Sequence, residues 1–456
     1  MIHASTADLA TAIQARLIGS GEREIAGVAI DSRRVQPGNL FVALAGERVD
    51  GHDFVDAAQN AGAAAALVEH SVACALPQLL VKNSAAALGE IARRWRLCCP
   101  ARIVAITGSN GKTTVKNLTA AILAAAGPCH ATSGNLNNEI GLPLSLAALP
   151  ESARFAVLEM GAGQPGDIAS LAAIAFADVA LVNNIAPAHL ERMLSLDGIA
   201  ATKGAIYSAL PEQGIAVING DDAYADYFTG LAGNRRVLRF ALDHPAEVRG
   251  RILESGTGTR LAITTPLGEI EVNLALAGRH NAMNALAATA AALAAGAHLG
   301  HVQSGLESVT AASGRLQAER LASGITLIDD SYNANPASTR AAIEVLANYP
   351  APRWLVLGDM RELGPEAPEL HTAIGHYAAQ HGIDALFTVG ALSAHAAAAF
   401  GSTARPFIDQ PALIAALRAE LTTGATVLVK GSRGSAMEHV VAALRGHDQG
   451  GRSDAA

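Results

Sequence analysis

Several features that would mark other classes of protein are missing from this sequence. Its opening, MIHASTADLATAIQARL, has neither the basic lead nor the long apolar core of a secretory signal, and its apolar spacing reads as an amphipathic helix. A cytoplasmic protein is expected. No run approaches the roughly 20 strongly apolar residues of a membrane span. Ala-rich stretches such as AATAAALAAGA carry little hydrophobic surface, so neither a transmembrane helix nor a membrane partner is expected. Cysteine is scarce: Cys74, Cys98, Cys99 and Cys129 form no CxxC pair and no metal-spaced set with histidine, and they read as free buried thiols. Excess positive charge is missing as well. The 33 Lys and Arg stand against 41 Asp and Glu, a net charge of -8 that argues against a general trap for nucleic acid while leaving room for a local phosphate pocket.

What is present is length and apolar content. With 456 residues, 50% hydrophobic and 16% charged, the chain can build more than one core, and length alone suggests roughly three domains. No internal repeat is found. The first stretch alternates short apolar strands (VAIDSR, NLFVAL, LLVK) with an Ala-rich helix around VDAAQNAGAAAALV, a small α/β unit over residues 1–99. A second unit, 100–313, begins with the apolar strand 102–107, which runs into GSNGKTT and a helix from about Lys112 to Ala125. Strands FAVLE (155–159) and VALVNN (179–184) follow, then a β-rich stretch over 236–276 and the helix of GRHNAMNALAATAAALAAG. SGRLQ (313–317) reads as a hinge into a third unit, 314–456, with strands ITLIDD, RWLVLGD, ALFTVG and ATVLVK. The expected fold class is α/β: three units, a central parallel sheet with a phosphate loop, and ligands at the C-terminal strand ends.

The phosphate loop is the most specific signal. Gly108, Ser109, Asn110, Gly111, Lys112, Thr113 and Thr114 offer consecutive backbone N–H groups, a cation and a hydroxyl suited to magnesium. The loop departs from GxxxxGK[ST] because Ile106 stands where the first Gly would be. Glu159 ends its strand beside MGAG, where a carboxylate could serve a hard cation. His189, in NNIAPAHLE, and Lys203, in ATKGAIYSAL, carry little signal of their own; such a lysine ordinarily solvates a helix. Two Asn-rich loops, TSGNLNNEIGLPL (132–144) and DDSYNANPAS (329–338), pack amides at predicted strand ends, suiting either recognition of sugars, peptides and phosphates or plain turn chemistry.

Taken in order, these motifs resemble the Mur ligase family over essentially the whole chain. DSR (31–33) and GERVDGHDF (46–54) are similar to its UDP-binding N-terminal domain, TGSNGKTT to its phosphate loop, GRHNAMNALAA to its adenine-side motif and SGRLQ to its hinge arginine. The resemblance implies ATP and magnesium as cofactors. It implies metal-site roles for Thr113, Glu159, His189 and Lys203, the last as a carbamylated lysine, with Lys112, Lys203, His189 and Arg315 catalytic. It further implies Asn281 on the adenine side, Asp330 accepting from the ATP ribose, and Arg315 reaching the γ-phosphate after domain closure.

YNANP, LGDMRELG and TSGNLNNEIGLPL resemble the branch that adds D-alanyl-D-alanine to a UDP-N-acetylmuramoyl-tripeptide through an acyl phosphate; the DNPR motif of the branch that adds a diamino acid is missing. Ser32, Arg33, Asn135, Asn137, Asn138, Tyr332, Asn333 and Asn335 are the expected substrate contacts, and a monomer without nucleic-acid partner is expected. Two alternatives are another amide ligase on this scaffold, including one of the folylpolyglutamate synthetase type, and a P-loop regulator that binds ATP without ligation. DSR with DGHDF disfavours the folate type, which lacks this UDP-binding domain.

Overall fold

The computed structural model describes residues 2–46, 49–187 and 190–450, with side chains up to 446. Three larger sheets follow one another along the chain. In the first unit, strands Arg16–Ile18, Gln78–Leu80, Ala65–Val68, Leu40–Val42 and Val28–Ala29 form a five-stranded sheet in that spatial order, beside a small pair, His3–Ser5 with Glu24–Ala26. Two expectations need correction here. The opening is not one amphipathic helix: Thr6–Ala12 is helical, but strands flank it, because Ser5 caps its start and the 13–15 segment turns back to pair Arg16–Ile18 with Gln78–Leu80. The Ala-rich helix ends at Asn60, and AALV (65–68) is instead a buried strand between two neighbours, where small and β-branched side chains fit a sheet covered on both faces.

The central sheet has nine strands. Cys129–Ala131, Phe155–Glu159, Arg102–Thr107, Val179–Val182, Ile215–Asn219, Arg236–Ala241 and Val248–Ser255 run parallel, and Thr259–Thr265 and Gly268–Leu274 add an antiparallel edge. The parallel strands are short apolar runs with both faces covered. Helices Lys112–Ala126, Arg279–Ala294 and Leu299–Ser308 share one core with them, and Ser84–Cys98, Asp167–Ala175 and Leu196–Ser208 share the other. The chain leaves Arg102–Thr107 towards one side of the sheet and comes back on the other, so a crevice opens at that strand's C-terminal end.

Helix Ser84–Cys98 fastens the first unit to the second. Trp95 is buried and its indole N–H donates to the Leu149 carbonyl at 3.0 Å, while Arg96 pairs with Asp178 at 2.9 Å. Truncating a buried Trp to Ala at such a junction costs about 3–5 kcal/mol. Of the cysteines, only Cys99 is buried; Cys98 is exposed, and Cys74 and Cys129 are partly so, which corrects the expectation of four buried thiols. All four are free, and no described helix is long and apolar enough to cross a membrane.

The third sheet orders Gln317–Arg320, Thr326–Asp330, Thr426–Lys430, Arg353–Gly358, Ala385–Val389 and Ala404–Phe407, all parallel except the first. Its strand ends carry the YNANP, LGDMRELG and KGSR loops, and YNANP meets the phosphate loop through Asn335 and Asn110.

Candidate nucleotide and ligation site

The loop between Arg102–Thr107 and Lys112–Ala126 is held in place from beneath. Gly111 has φ 79°, and a Cβ there would lie 2.5 Å from both Asn183 Nδ2 and Asn284 Oδ1, so only glycine fits. Those two amides belong to a chain of side chains under the loop. Asn183 donates to the Asn110 carbonyl at 2.9 Å and to Asn284 Oδ1 at 2.8 Å, and Asn284 donates to Asn281 Oδ1 at 3.1 Å. Asn184 receives the Asn110 N–H at 2.9 Å, and Ser109 exchanges hydrogen bonds with the backbone of Ala186. VALVNN thus stops being a strand at Val182, which frees Asn183 and Asn184 to brace the loop.

Lys112 folds back over this loop and donates to the carbonyls of Gly108 at 2.8 Å and Ser109 at 3.4 Å. Burial of its ammonium lowers its pKa; the Glu159 carboxylate opposes that and the Arg315 guanidinium adds to it. Thr114 lies beside a small cleft shared with Asn117, Asn281 and Arg315.

Glu159 is buried, and both its oxygens are engaged. Thr113 donates its hydroxyl to Oε2 at 2.8 Å and Asn137 donates its amide to Oε1 at 2.8 Å. A hydroxyl and a carboxylate in contact at the foot of a phosphate loop are oxygen donors of the hard type that magnesium takes, so the residues fit that ion. Among the described residues no cluster of three or more His, Cys, Asp or Glu is gathered for a metal. His189 lies outside the described residues.

Lys203 departs from its local reading. It sits in the middle of Leu196–Ser208, not at a solvated face, with only 2% of its surface exposed. Burial, with Lys112 nearby, holds its pKa well below the usual lysine range, although Asp167 favours the charged form.

The third unit reaches into the crevice. Arg315 donates to the Thr113 hydroxyl at 3.0 Å and lies over the Tyr332 ring at 4.2 Å. The hinge arginine thus links the third unit to the phosphate loop. Asn335 caps helix Pro336–Ala347 through its oxygen and donates its amide to Asn110 Oδ1 at 2.6 Å. Asp330 is buried, with Oδ2 on the Lys430 ammonium at 2.5 Å and Oδ1 receiving the Leu316 N–H at 3.2 Å; burial raises its pKa and Lys430 pulls it back. Asn333 gives its carbonyl to Lys430 at 2.9 Å.

Other expected contacts stand apart from this cluster. Asn138 uses its oxygen to receive the Gly141 N–H at 2.8 Å, and Asn135 is engaged through its backbone carbonyl. Ser32 and Arg33 lie in a short 3-10 turn capped by Asp31, which binds Arg33 at 2.8 Å and is held at about 2 by that contact and the Arg33 backbone N–H. In DGHDF, His52 is structural: its Nε2 accepts the Glu69 N–H at 2.8 Å and its Nδ1 faces Asp50 at 2.6 Å; Glu47 and Arg48 of the same motif lie outside the described residues. The polar end of VALVNN, Asn183 and Asn184, meets the phosphate loop as its strand-end position led one to expect. Sequence reading missed Lys116, Asn284 and Lys430, whose partners Thr132, Asn183 and Asp330 lie in other elements.

An amide-braced phosphate loop at the mouth of a parallel sheet, reached by an arginine from a separate unit, defines a multidomain P-loop enzyme acting on nucleotide. Comparison with known proteins narrows the class. The family described as Mur ligase middle domain matches residues 106–292, the Mur ligase glutamate ligase domain matches 314–433, and the Mur ligase catalytic domain matches 24–96. The UDP-N-acetylmuramoyl-tripeptide--D-alanyl-D-alanine ligase of Escherichia coli is 43% identical over 98% of this chain and 99% of its own length. A crystal structure of MurF from Acinetobacter baumannii superposes with a TM-score of 0.92 at 33% identity, covering 98% of this chain and 99% of that one. MurF ligase from Thermotoga maritima, solved in complex with ADP, gives 0.83 at 28% identity, with 93% and 98% covered. The chain belongs to the Mur ligase family and is an ATP-dependent, amide-bond-forming ligase.

Proposed function

We infer that this protein joins D-alanyl-D-alanine to UDP-N-acetylmuramoyl-tripeptide, giving the pentapeptide, ADP and phosphate in peptidoglycan precursor synthesis. The observation that carries the reading is its end-to-end similarity, through all three units, to ligases of that name. A carboxylate oxygen of the tripeptide attacks the γ-phosphorus of ATP, and ADP leaves. The neutral amine of the dipeptide then attacks the carbonyl carbon of the acyl phosphate, and the tetrahedral intermediate collapses with loss of phosphate.

The chain's own residues divide this work mainly into positioning and charge neutralisation. The backbone from Gly108 to Thr114 cradles phosphate oxygens, and Lys112, already poised over the loop carbonyls, exchanges them for phosphate. Arg315 approaches the γ-phosphate from the third unit, so phosphoryl transfer is favoured when that unit is docked. Asn281 borders the adenine side. Asp330, with one oxygen shared between Leu316 N–H and the cleft, accepts from the ribose. Asn135, Asn137 and Asn138 form the tripeptide side, Tyr332, Asn333 and Asn335 the dipeptide side, and Ser32 with Arg33 the UDP end. Docking of the third unit also shields the acyl phosphate from water.

Thr113 and Glu159, with His189 and a carbamylated Lys203, would hold magnesium, which when bound offsets phosphate charge as a Lewis acid. Lys203 suits the carbamate because burial lowers its pKa and so favours the neutral amine over the ammonium. The nitrogen of the neutral amine adds to carbon dioxide and releases one proton, replacing an uncharged group by an anion beside Lys112. The protein acts as a monomer in the cytoplasm, where its nucleotide-linked substrates reside.

The test is phosphate release with UDP-muramoyl-tripeptide, offering D-alanyl-D-alanine beside single amino acids and L-alanyl-L-alanine. Turnover with D-alanyl-D-alanine alone is expected. Efficient ligation of meso-diaminopimelate to a UDP-muramoyl-dipeptide would overturn the substrate assignment, and ATP binding with no dipeptide-dependent phosphate release would overturn ligation itself.

A further inference from the structure

Lys116 is a buried cation with no part in the roles above. It lies one turn beyond Lys112 on the same helix, so the two side chains rise from the same face. Only 5% of it is exposed, and among the described residues its ammonium donates to a single acceptor, the carbonyl of Thr132, at 2.8 Å. Thr132 is itself buried and is the first residue of the Asn-rich loop 132–144. Its N–H donates to the Val157 carbonyl at 3.0 Å, and its hydroxyl receives the Glu159 N–H at 3.1 Å. Five residues further on, Asn137 donates to Glu159 Oε1.

The connections close a ring. Lys116 grips Thr132, Thr132 grips the backbone of Glu159, and the carboxylate of Glu159 is gripped by Thr113, three residues before Lys116 on its own helix. A lysine buried for one carbonyl gives up most of its hydration, which is costly unless other interactions offset the loss. The nearby Glu159 carboxylate supplies one, since it favours the charged ammonium, while Arg315 opposes it. The same ammonium fixes the direction in which the Asn-rich loop leaves its strand.

We propose that Lys116 is a positioning residue that locks Thr132, and through it the backbone of Glu159 and the 132–138 loop, into the geometry in which Glu159 receives a divalent cation. The inference rests on the assignment of Glu159 and Thr113 to the metal. It makes an unusual prediction of sign. As a bare charge near Glu159, Lys116 would repel a divalent cation, and its removal would tighten metal binding. As a clamp it holds the carboxylate in place, and its removal loosens metal binding.

The experiment measures Mn2+ affinity in the presence of ADP, without turnover, by paramagnetic resonance, together with amide hydrogen exchange of the ligand-free protein. In the wild type, loss of Mn2+ binding on Glu159→Gln tests the metal assignment separately. For Lys116→Met we expect Mn2+ affinity about tenfold weaker and faster exchange over 131–138 and at Glu159. Lys116→Arg, which keeps a donor and a charge, should recover most of the affinity. Thr132→Val, which leaves the Lys116 carbonyl contact but removes the hydroxyl beneath Glu159, should weaken Mn2+ about threefold and tests the link from Thr132 to Glu159. If Lys116→Met does not fold, Lys116→Gln, which loses the charge but keeps an N–H donor, takes its place, and tighter Mn2+ binding there would overturn the clamp. Unchanged or tighter Mn2+ binding in Lys116→Met, or unchanged binding in Thr132→Val, would overturn the proposal.

Discussion

The phosphate loop and the DSR turn are both short, polar and rich in functional groups, yet they are built in opposite ways. Around the phosphate loop, Asn110 alone has side-chain or backbone contacts with Asn183, Asn184 and Asn335, partners 73, 74 and 225 positions away in the chain. In the DSR turn, Arg33 is bound to Asp31 two residues away and is otherwise open to solvent. The difference follows from what each must do. Charge that develops during phosphoryl transfer is best met by groups that need not reorganise, which calls for a scaffold fixed from several directions. If the DSR turn holds the UDP end as proposed, far from the reacting atoms, it needs only binding, and a local, adjustable turn supplies that.

If the contrast is right, the largest effect belongs to the most deeply buried lysine side chain of the proposed site, Lys203. Lys203→Ala should cut turnover by at least about a hundredfold, the scale on which removal of one preorganised charge from a phosphoryl-transfer site acts. The fold and some nucleotide binding should survive, because the phosphate loop is braced by Asn183, Asn184 and Asn284 and not by Lys203. Acetate should restore part of the rate by supplying the missing carboxylate oxygens. Turnover equal to wild type in the Ala variant would break both the carbamate and the contrast.

Arg315→Ala comes next, with a loss of about ten- to a hundredfold, since it removes one of several cations near the phosphates. It also removes the guanidinium that bridges Thr113 and the Tyr332 ring. Small-angle scattering of the ligand-free variant should therefore show a larger radius of gyration than wild type. Matching profiles, together with full activity, would mean that the bridge neither docks the third unit nor serves the reaction.

The same contrast sets how far the sequence could be read. Apolar runs such as 102–107 and 155–159 gave their strands directly, because a buried parallel strand needs continuous β-branched and aliphatic residues. AALV at 65–68 did not, since alanine favours helix intrinsically and only the neighbouring strands make it part of a sheet. Lys112 was legible because its glycines and threonines are adjacent. Lys203 and Lys116 were not, because each is defined by burial against elements distant in sequence, and locally each resembles a lysine on a helix surface. Asn138 carries both readings of its loop, since the amide proposed to meet the tripeptide also closes a turn onto Gly141 through its oxygen.

Asn335 allows a finer cut between structure and coupling. Asn335→Ala loses both the helix cap and the donor to Asn110, so stability should fall by about 1 kcal/mol and turnover by several fold. Asn335→Asp keeps a capping oxygen but has no N–H to give to Asn110. Thermal unfolding of the Asp variant should match wild type while its turnover stays close to that of Ala. Equal activity of the Asp variant and wild type would reduce the contact to a cap.

The smallest effects should lie in the DSR turn, where they fall on substrate affinity alone. Arg33→Ala leaves Asp31 as an uncompensated carboxylate beside the place where the UDP phosphates are expected, so KM for the UDP substrate should rise by about two- to fivefold, the scale of exposed ion pairs. kcat should stay within twofold, because nothing ties Arg33 to the reacting atoms. Asp31→Asn is the informative partner. It keeps an oxygen to cap the turn at the Arg33 N–H but removes the negative charge that holds the guanidinium, freeing it for phosphate. KM should then fall below wild type, and both shifts should shrink as salt is raised, since exposed charges are screened over about 10 Å at 0.1 M ionic strength. A large drop in kcat for Arg33→Ala would place the DSR turn in the chemistry, and the distinction between a fixed reaction centre and an adjustable handle would no longer hold.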